Sequence, residues 1–181
     1  MNDLAPSVRT ARPDDAADLA RIYIESWQDT YAGVISHALL TTMSRKSHTA
    51  RWQATIKSNG TVLVAEDEHH GVIGLCSLGA VRDGGVGFEG EIYTLYVDPS
   101  FLGRGTGRAL LAGAFDAFKA RKLRSCLIWA HARNNACFFY EAMGGQRVAT
   151  RTTRLMGELT PEIGFGWKKL ATQKQTRTIQ S

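Results

Sequence analysis

The 181-residue chain is poor in cysteine and proline and has no long apolar run. Its three cysteines, Cys76, Cys126 and Cys137, form no C-x-x-C pair and sit among apolar neighbours. That argues against a disulfide framework or a zinc site, and buried reduced thiols are expected instead. No stretch approaches the roughly 20 apolar residues of a membrane helix. The first fifteen residues lack the continuous apolar segment of a secretory leader. A cytoplasmic location with no membrane partner is therefore expected. Basic residues never cluster as they do in nucleic-acid-binding tracts, so no nucleic-acid partner is expected either. Four prolines among 18 glycines give neither a collagen period nor a Pro-rich linker.

What is present is ordinary for a globular protein, with 44% hydrophobic and 22% charged residues. The length suits one domain, assigned to residues 1–170, with a polar, basic and frayed tail over 171–181. Charge is placed unevenly. Residues 61–100 carry 1 basic and 7 acidic side chains, whereas residues 101–181 carry 14 basic and 4 acidic. The basic surplus of the C-terminal half suits an anionic ligand such as a phosphorylated cofactor.

Periodicity orders the elements. Val8 to Arg12 reads as a short strand, and Pro13-Asp14-Asp15 as a helix start with acids at the positive end of the dipole. Ala16, Leu19, Ala20, Tyr23 and Trp27 recur at helical spacing over residues 14–28. One or two helices fill residues 35–58. Thr61 to Glu66, Val72 to Val81 and Phe88 to Val97 read as strands of a meander. A helix follows with Leu111, Ala114, Phe115 and Phe118 on one face. Leu127 to His131 is a strand, 135–143 a helix ended by Gly144-Gly145, and 146–155 and 163–170 two closing strands. The order implies an α/β (α+β) fold: one mixed, mostly antiparallel sheet of about seven strands with helices on both faces.

The sharpest local feature is Gly103-Arg104-Gly105-Thr106-Gly107, between a strand and a helix. Glycines let backbone N–H groups approach a phosphate, and the helix start points its positive end at the same place. No Lys-Ser/Thr follows, which excludes a Walker loop. The third glycine comes one residue too early for a Rossmann turn. Glycine costs about 0.8–1.0 kcal/mol in a helix, so three at a helix entrance need a reason.

Residues 97–111, VDPSFLGRGTGRALL, resemble motif A of the GNAT superfamily, the Gcn5-related N-acetyltransferases, written [QR]-x-x-G-x-[GA]. Gly105 and Gly107 match, and Leu102 stands where Gln or Arg is usual. Residues 134–145, NNACFFYEAMGG, are similar to the family's N-x-A-x-x-F-Y-E-x-x-G-G segment. Arg12-Pro13 and Phe165-Gly166-Trp167 also fit, so the resemblance runs from about Val8 to Leu170.

The resemblance implies acetyl-CoA as co-substrate, no metal, and an N-acetyltransferase acting on a small-molecule or peptide amine; a homodimer is compatible with it. It also allows a catalytically silent acyl-CoA-binding module of the same fold. It implies that the backbone of Leu95 and Val97 pairs with the pantetheine arm, with Tyr96 between them also counted as cofactor-binding. Backbone N–H groups across Gly103, Arg104, Gly105, Thr106, Gly107 and Arg108 would hold the pyrophosphate, with Arg104 and Arg108 adding charge. Asn134 either contacts the pantetheine or caps the following helix, and both roles can hold.

Tyr140 lies on an apolar stripe, where a core tyrosine is the plain reading. The resemblance instead points its hydroxyl at the cofactor sulfur as general acid. An alkyl ammonium, pKa about 10.4, must lose a proton before it attacks, which costs roughly 4.6 kcal/mol at pH 7. Glu91, placed on one face with Tyr93, Leu95 and Val97, is the expected base, directly or through water; the alternative is a strand-end carboxylate in solvent. Glu89 and His131 are weaker choices. Trp27, Tyr31, Phe88 and Trp52 are expected as acceptor-pocket walls, and Asp29, Glu89 and Glu91 as attractors of a cationic amine.

Overall fold

The computed structural model describes residues 6–31, 36–82, 86–155 and 157–170. The expected tail at 171–181, the helix break at Gly33 and most of the loop at 82–85 lie outside these residues. Among the described residues there are seven strands: β1 (Ser7–Thr10), β2 (Thr61–Asp67), β3 (Gly71–Ala80), β4 (Gly90–Val97), β5 (Cys126–His131), β6 (Gln146–Leu155) and β7 (Glu158–Trp167). Five α-helices accompany them: α1 (Ala16–Thr30), α2 (His37–Thr41), α3 (Arg45–Lys57), α4 (Thr106–Ala120) and α5 (Ala136–Ala142).

The strands form one sheet in the order β1-β2-β3-β4-β5-β7-β6. Only β4 and β5 run parallel among the paired strands, so the sheet is mixed and mostly antiparallel, as expected. The last strand begins earlier than its apolar residues suggest. Leu159 is exposed and Thr160 buried, and backbone pairing with β6 carries β7 out to Glu158. Phe88, expected within β4, precedes it.

Helices α4 and α5 cover one face. Leu110, Leu111, Ala114, Phe115 and Phe118 of α4 and Tyr140 of α5 join Ile92, Cys76 and Ile128 in the larger core. Helices α1 and α3 cover β2 and β3 on the other face, with Leu19, Ile22, Trp52, Val64 and Leu75 packed together. Truncating a fully buried ring such as Phe118 to Ala would cost about 3–5 kcal/mol. The start of α1 is fixed by Asp15, whose carboxylate accepts from the Arg12 N–H at 2.6 Å and from Arg9 at 2.8 Å and 3.0 Å.

Two irregularities shape the centre of the sheet. Ser77 pairs with Thr94 and Leu78 with Ile92, which leaves Tyr93 as an extra residue in β4. This β-bulge shifts the alternation of side chains along the strand. Next, β4 and β5 pair only at Gly90–Cys126, Glu91–Leu127 and Ile92–Ile128, and beyond that point no pairing joins them.

Candidate active site

A wedge opens where β4 and β5 part. The Asp98 N–H donates to the Ile73 carbonyl at 2.9 Å, so Asp98 is hydrogen-bonded to β3. The antiparallel ladder alternates, and the N–H and C=O groups of Leu95 and Val97 therefore turn toward the wedge. Ser26 donates to the Val97 carbonyl at 3.2 Å. By the same alternation Tyr96 faces β3 with its backbone. Its ring packs edge-on to Tyr23 on the α1 side, 5.4 Å between centroids, so the ring rather than the main chain serves the site.

Helix α1 crosses one mouth of the wedge. Arg21 donates to Asp98 at 2.6 Å and to the Val72 carbonyl at 3.3 Å. Ten residues on, the Tyr31 ring meets His131 at the end of β5, 5.9 Å away and edge-on. Helix α1, through Arg21, and Tyr31 just after it thus span the ends of the two diverging strands.

The start of α4 lies along the other mouth. Gly103 and Gly105 have φ of +77° and +82°, the left-handed region that only glycine enters freely, and a Cβ at either would meet nothing within 4 Å. The first bond within α4 runs from the Ala109 N–H to the Gly105 carbonyl at 3.0 Å. The N–H groups of Thr106, Gly107 and Arg108 thus have no helical acceptor and sit at the positive end of the dipole. Open space, convergent donors and a helix N-terminus fit a diphosphate. Thr106 offers only its main chain, because its side chain is buried with Oγ1 unpartnered. Arg108 lies on the cavity wall; Arg104 instead lays its guanidinium over Phe101, 5.0 Å from the ring centre. Arg133, in the loop after β5, joins Arg108 on the wall. Sequence reading missed Arg133, whose only signal was its place just before Asn134.

Together these elements wall a cavity of about 800 Å³, within the range of small-molecule sites. Tyr140 lines it and is only 4% exposed, wedged between Phe139, Phe165 and Trp167. Burial raises its hydroxyl pKa well above the ordinary phenol value, and the neighbouring Cys76 and Cys137 add to the rise. The phenol is therefore protonated at neutral pH. Asn134 lines the cavity too, and its Oδ1 accepts from the Ala136 N–H at 2.8 Å, capping the start of α5.

The expected grouping of Glu91 with Leu95 and Val97 is corrected by the bulge. Ile92, Leu95 and Val97 pack on the α4 side, whereas Glu91 pairs with Gly79 on the α1 side. The Glu91 side chain is buried, and its carboxylate accepts from the Arg82 N–H at 2.8 Å and the Arg82 guanidinium at 2.5 Å and 3.1 Å. Glu91 is not on the cavity wall. Arg82 in turn stacks on Tyr93, 4.2 Å from its centroid, and Tyr93 is on the wall.

Phe88 and Glu89 lie at the opposite end of β4. Phe88 packs on Gly166, and Glu89 accepts from Ser125-adjacent Arg124, so neither reaches the cavity. Tyr31 and Asp29 do line it. Trp27 stands behind Tyr31, 4.9 Å between ring centres, and Trp52 is core. His131 accepts the Arg133 N–H on Nδ1 at 3.0 Å. Burial, aided by Arg133, lowers its pKa, so the ring is neutral with its proton on Nε2. Its one lone pair is used, which removes it as a base. Burial raises all three thiols, Cys126 to about 12, and none suits a nucleophile.

The acetyltransferase (GNAT) family model matches residues 17–145. An uncharacterized N-acetyltransferase of Bacillus subtilis (strain 168), YuaI, is 32% identical over 168 residues, 93% of this chain and 96% of that protein. Among solved structures, a GCN5-related N-acetyltransferase from Rhodopseudomonas palustris has a TM-score of 0.71 at 22% identity, covering 92% of this chain and 97% of that one. A putative acetyltransferase from Salmonella typhimurium, yncA, solved with acetyl-CoA, has a TM-score of 0.68 at 21% identity, covering 93% and 95%. The family match runs from the first turn of α1 to the glycines after α5 and takes in every element that walls the cavity, so the chain belongs to the GNAT acetyltransferase family.

Proposed function

We propose that the protein moves an acetyl group from acetyl-CoA to a primary amine by direct attack, with both substrates bound together. The observation that carries this reading is the wedge itself. Leu95 and Val97, whose backbone has no strand partner on the wedge side, the α4 start at Gly105, Gly107 and Arg108, and Tyr140 all border one cavity. The coenzyme supplies an activated acetyl group as a thioester. The main chain of Leu95 and Val97 binds its pantetheine amides as an added strand would, and the α4 start holds its phosphates. The amine enters from the α1 side. Its nitrogen bonds to the carbonyl carbon as the C–S bond breaks.

Tyr140 donates a hydrogen bond to the departing sulfur. Its pKa, above the ordinary phenol's 10, keeps the donor proton in place. A free thiol titrates near 8.5, so full transfer from even an unshifted phenol is uphill by about 2 kcal/mol. Tyr140 therefore stabilises the sulfur by hydrogen bonding as charge develops; as the C–S bond breaks, the second proton of the attacking nitrogen passes to the phenol while the phenol proton passes to the thiolate, so Tyr140 ends protonated as it began. The first amine proton departs through water. Glu91, the buried carboxylate on that face of β4, receives it by relay past Arg82 rather than by touching the amine.

Release of CoA measured with a panel of amines tests this reading. Turnover with at least one amine, reduced roughly 10²-fold by Tyr140→Phe with CoA affinity kept, is the expected result. An unchanged rate in that variant ends the assignment of Tyr140. Tight CoA binding with no turnover of any amine would mean a silent binding module instead.

A further inference from the structure

We propose that the acceptor is an amine carrying a second ammonium group and no carboxylate, and that Asp29 holds that second charge. This rests on the acetyl-transfer reading above and names the substrate class of the same cavity.

Charge is divided unevenly around the wall. Among the described wall residues, the cations are Arg108 and Arg133, both on the side of the α4 and α5 starts. On the α1 side the charged wall residue is Asp29. Asp29 lies in the last turn of α1, and no basic residue stands there. That turn carries the negative end of the helix dipole, which adds to the carboxylate. The acceptor mouth therefore favours positive charge from two independent sources.

The charges just behind this wall do not reverse the balance. Glu162 faces Tyr31 closely enough to help burial hold that hydroxyl's pKa up at about 12. Arg151 is bound to Glu162 at 2.6 Å, and its guanidinium lies over Trp129, 4.1 Å from the ring centre. That cation is committed to a carboxylate and a ring, so it is not free to receive an acceptor carboxylate. Glu91 and Arg82 form a second neutral pair behind Tyr93.

The remaining surface on this side is aromatic. Tyr31, Tyr93, Tyr96 and Trp129 all line the cavity. Trp129 is fixed in place because Gly164 opposite it has no Cβ, which would fall 3.1 Å from the ring. Aromatic walls attract organic cations and offer no partner to a carboxylate. An amino-acid acceptor held in the same way would bring its carboxylate against Asp29 and the negative end of α1, and the wall cations Arg108 and Arg133 stand on the side of the α4 and α5 starts. An alkyl diamine can present one neutral nitrogen for attack while its other end, still protonated, sits at Asp29.

The test compares cadaverine, pentylamine and 5-aminopentanoate, three acceptors of equal chain length, with acetyl-CoA on the full chain. The expected order of kcat/KM is diamine first, monoamine about 5-fold lower, and amino acid lower again by 10-fold or more. Asp29→Asn should erase the diamine-over-monoamine preference through KM, and Asp29→Glu should restore part of it. A preference that survives Asp29→Asn, or a preferred amino acid, overturns the acceptor assignment alone. CoA release with other amines but not with cadaverine does the same. No release with any amine overturns the acetyl-transfer reading and this proposal with it.

Discussion

Replacing Gly105 by alanine separates the strain of the phosphate turn from its function. Gly105 has φ +82°, and a methyl group there meets nothing within 4 Å. The cost to the free protein is then backbone strain alone, about 1–2 kcal/mol for an L-residue in the left-handed region. At 181 residues this lowers Tm by roughly 3–6 °C. Gly71 provides the control. It has φ +69°, equally open surroundings and a place at the start of β3, away from the cavity. Gly71→Ala should cost the same stability. Only Gly105→Ala adds a methyl where a diphosphate must approach the backbone. Losing one charge-assisted N–H bond, about 1.5–3 kcal/mol, weakens CoA binding roughly 10- to 150-fold. Calorimetric titration of CoA into the two variants, with melting curves for each, reads both quantities. Equal CoA affinity in the two variants would refute the cradle.

Glu91→Gln keeps the size of the side chain but removes the charge opposite Arg82; as the relayed base, Glu91 should lose roughly 10²-fold in kcat/KM when so replaced. Wild-type turnover with a lowered Tm would instead make Glu91 a structural partner of Arg82. Asp15→Asn should destabilise the fold by about 1 kcal/mol at pH 7, measured by urea unfolding. The Arg9 hydrogen bond holds the Asp15 carboxyl below its ordinary range against the opposing effect of burial, with the Arg12 N–H assisting. A depressed folded-state pKa gives stability that is complete above the unfolded value near 4 and is lost as pH falls through the folded one. The difference between wild type and variant should therefore shrink at pH 3, and a constant difference would refute the linkage.

Much of the architecture was legible because it follows from repeating patterns. The stripe Leu111, Ala114, Phe115, Phe118 set the inner face of α4, and the glycines before it marked the turn with two left-handed residues. Asn134 as a cap was legible from residue type. The position of Glu91 was not. Counting by twos along β4 assumes a regular strand, and the extra residue at Tyr93 breaks the count without any glycine or proline to announce it. The partnership of Glu91 with Arg82 depends on a tertiary approach that spacing does not encode. Phe88 and Glu89 looked like pocket residues because they are aromatic and acidic, but strand direction puts them at the far end. Arg133 and the bridging by α1 and Tyr31 also emerge only once the strands are seen to part.

The three residue pairs joining β4 to β5 are a short seam between two halves of the sheet. An extended guest threaded beside Leu95 and Val97 would suture that seam, acting as a temporary eighth strand. Amide hydrogens at those two positions should then exchange quickly in the free protein and slowly when the guest is in place. Departure of the spent coenzyme would require the suture to be undone, so the pace of turnover becomes tied to how readily a sheet gives up its newest member.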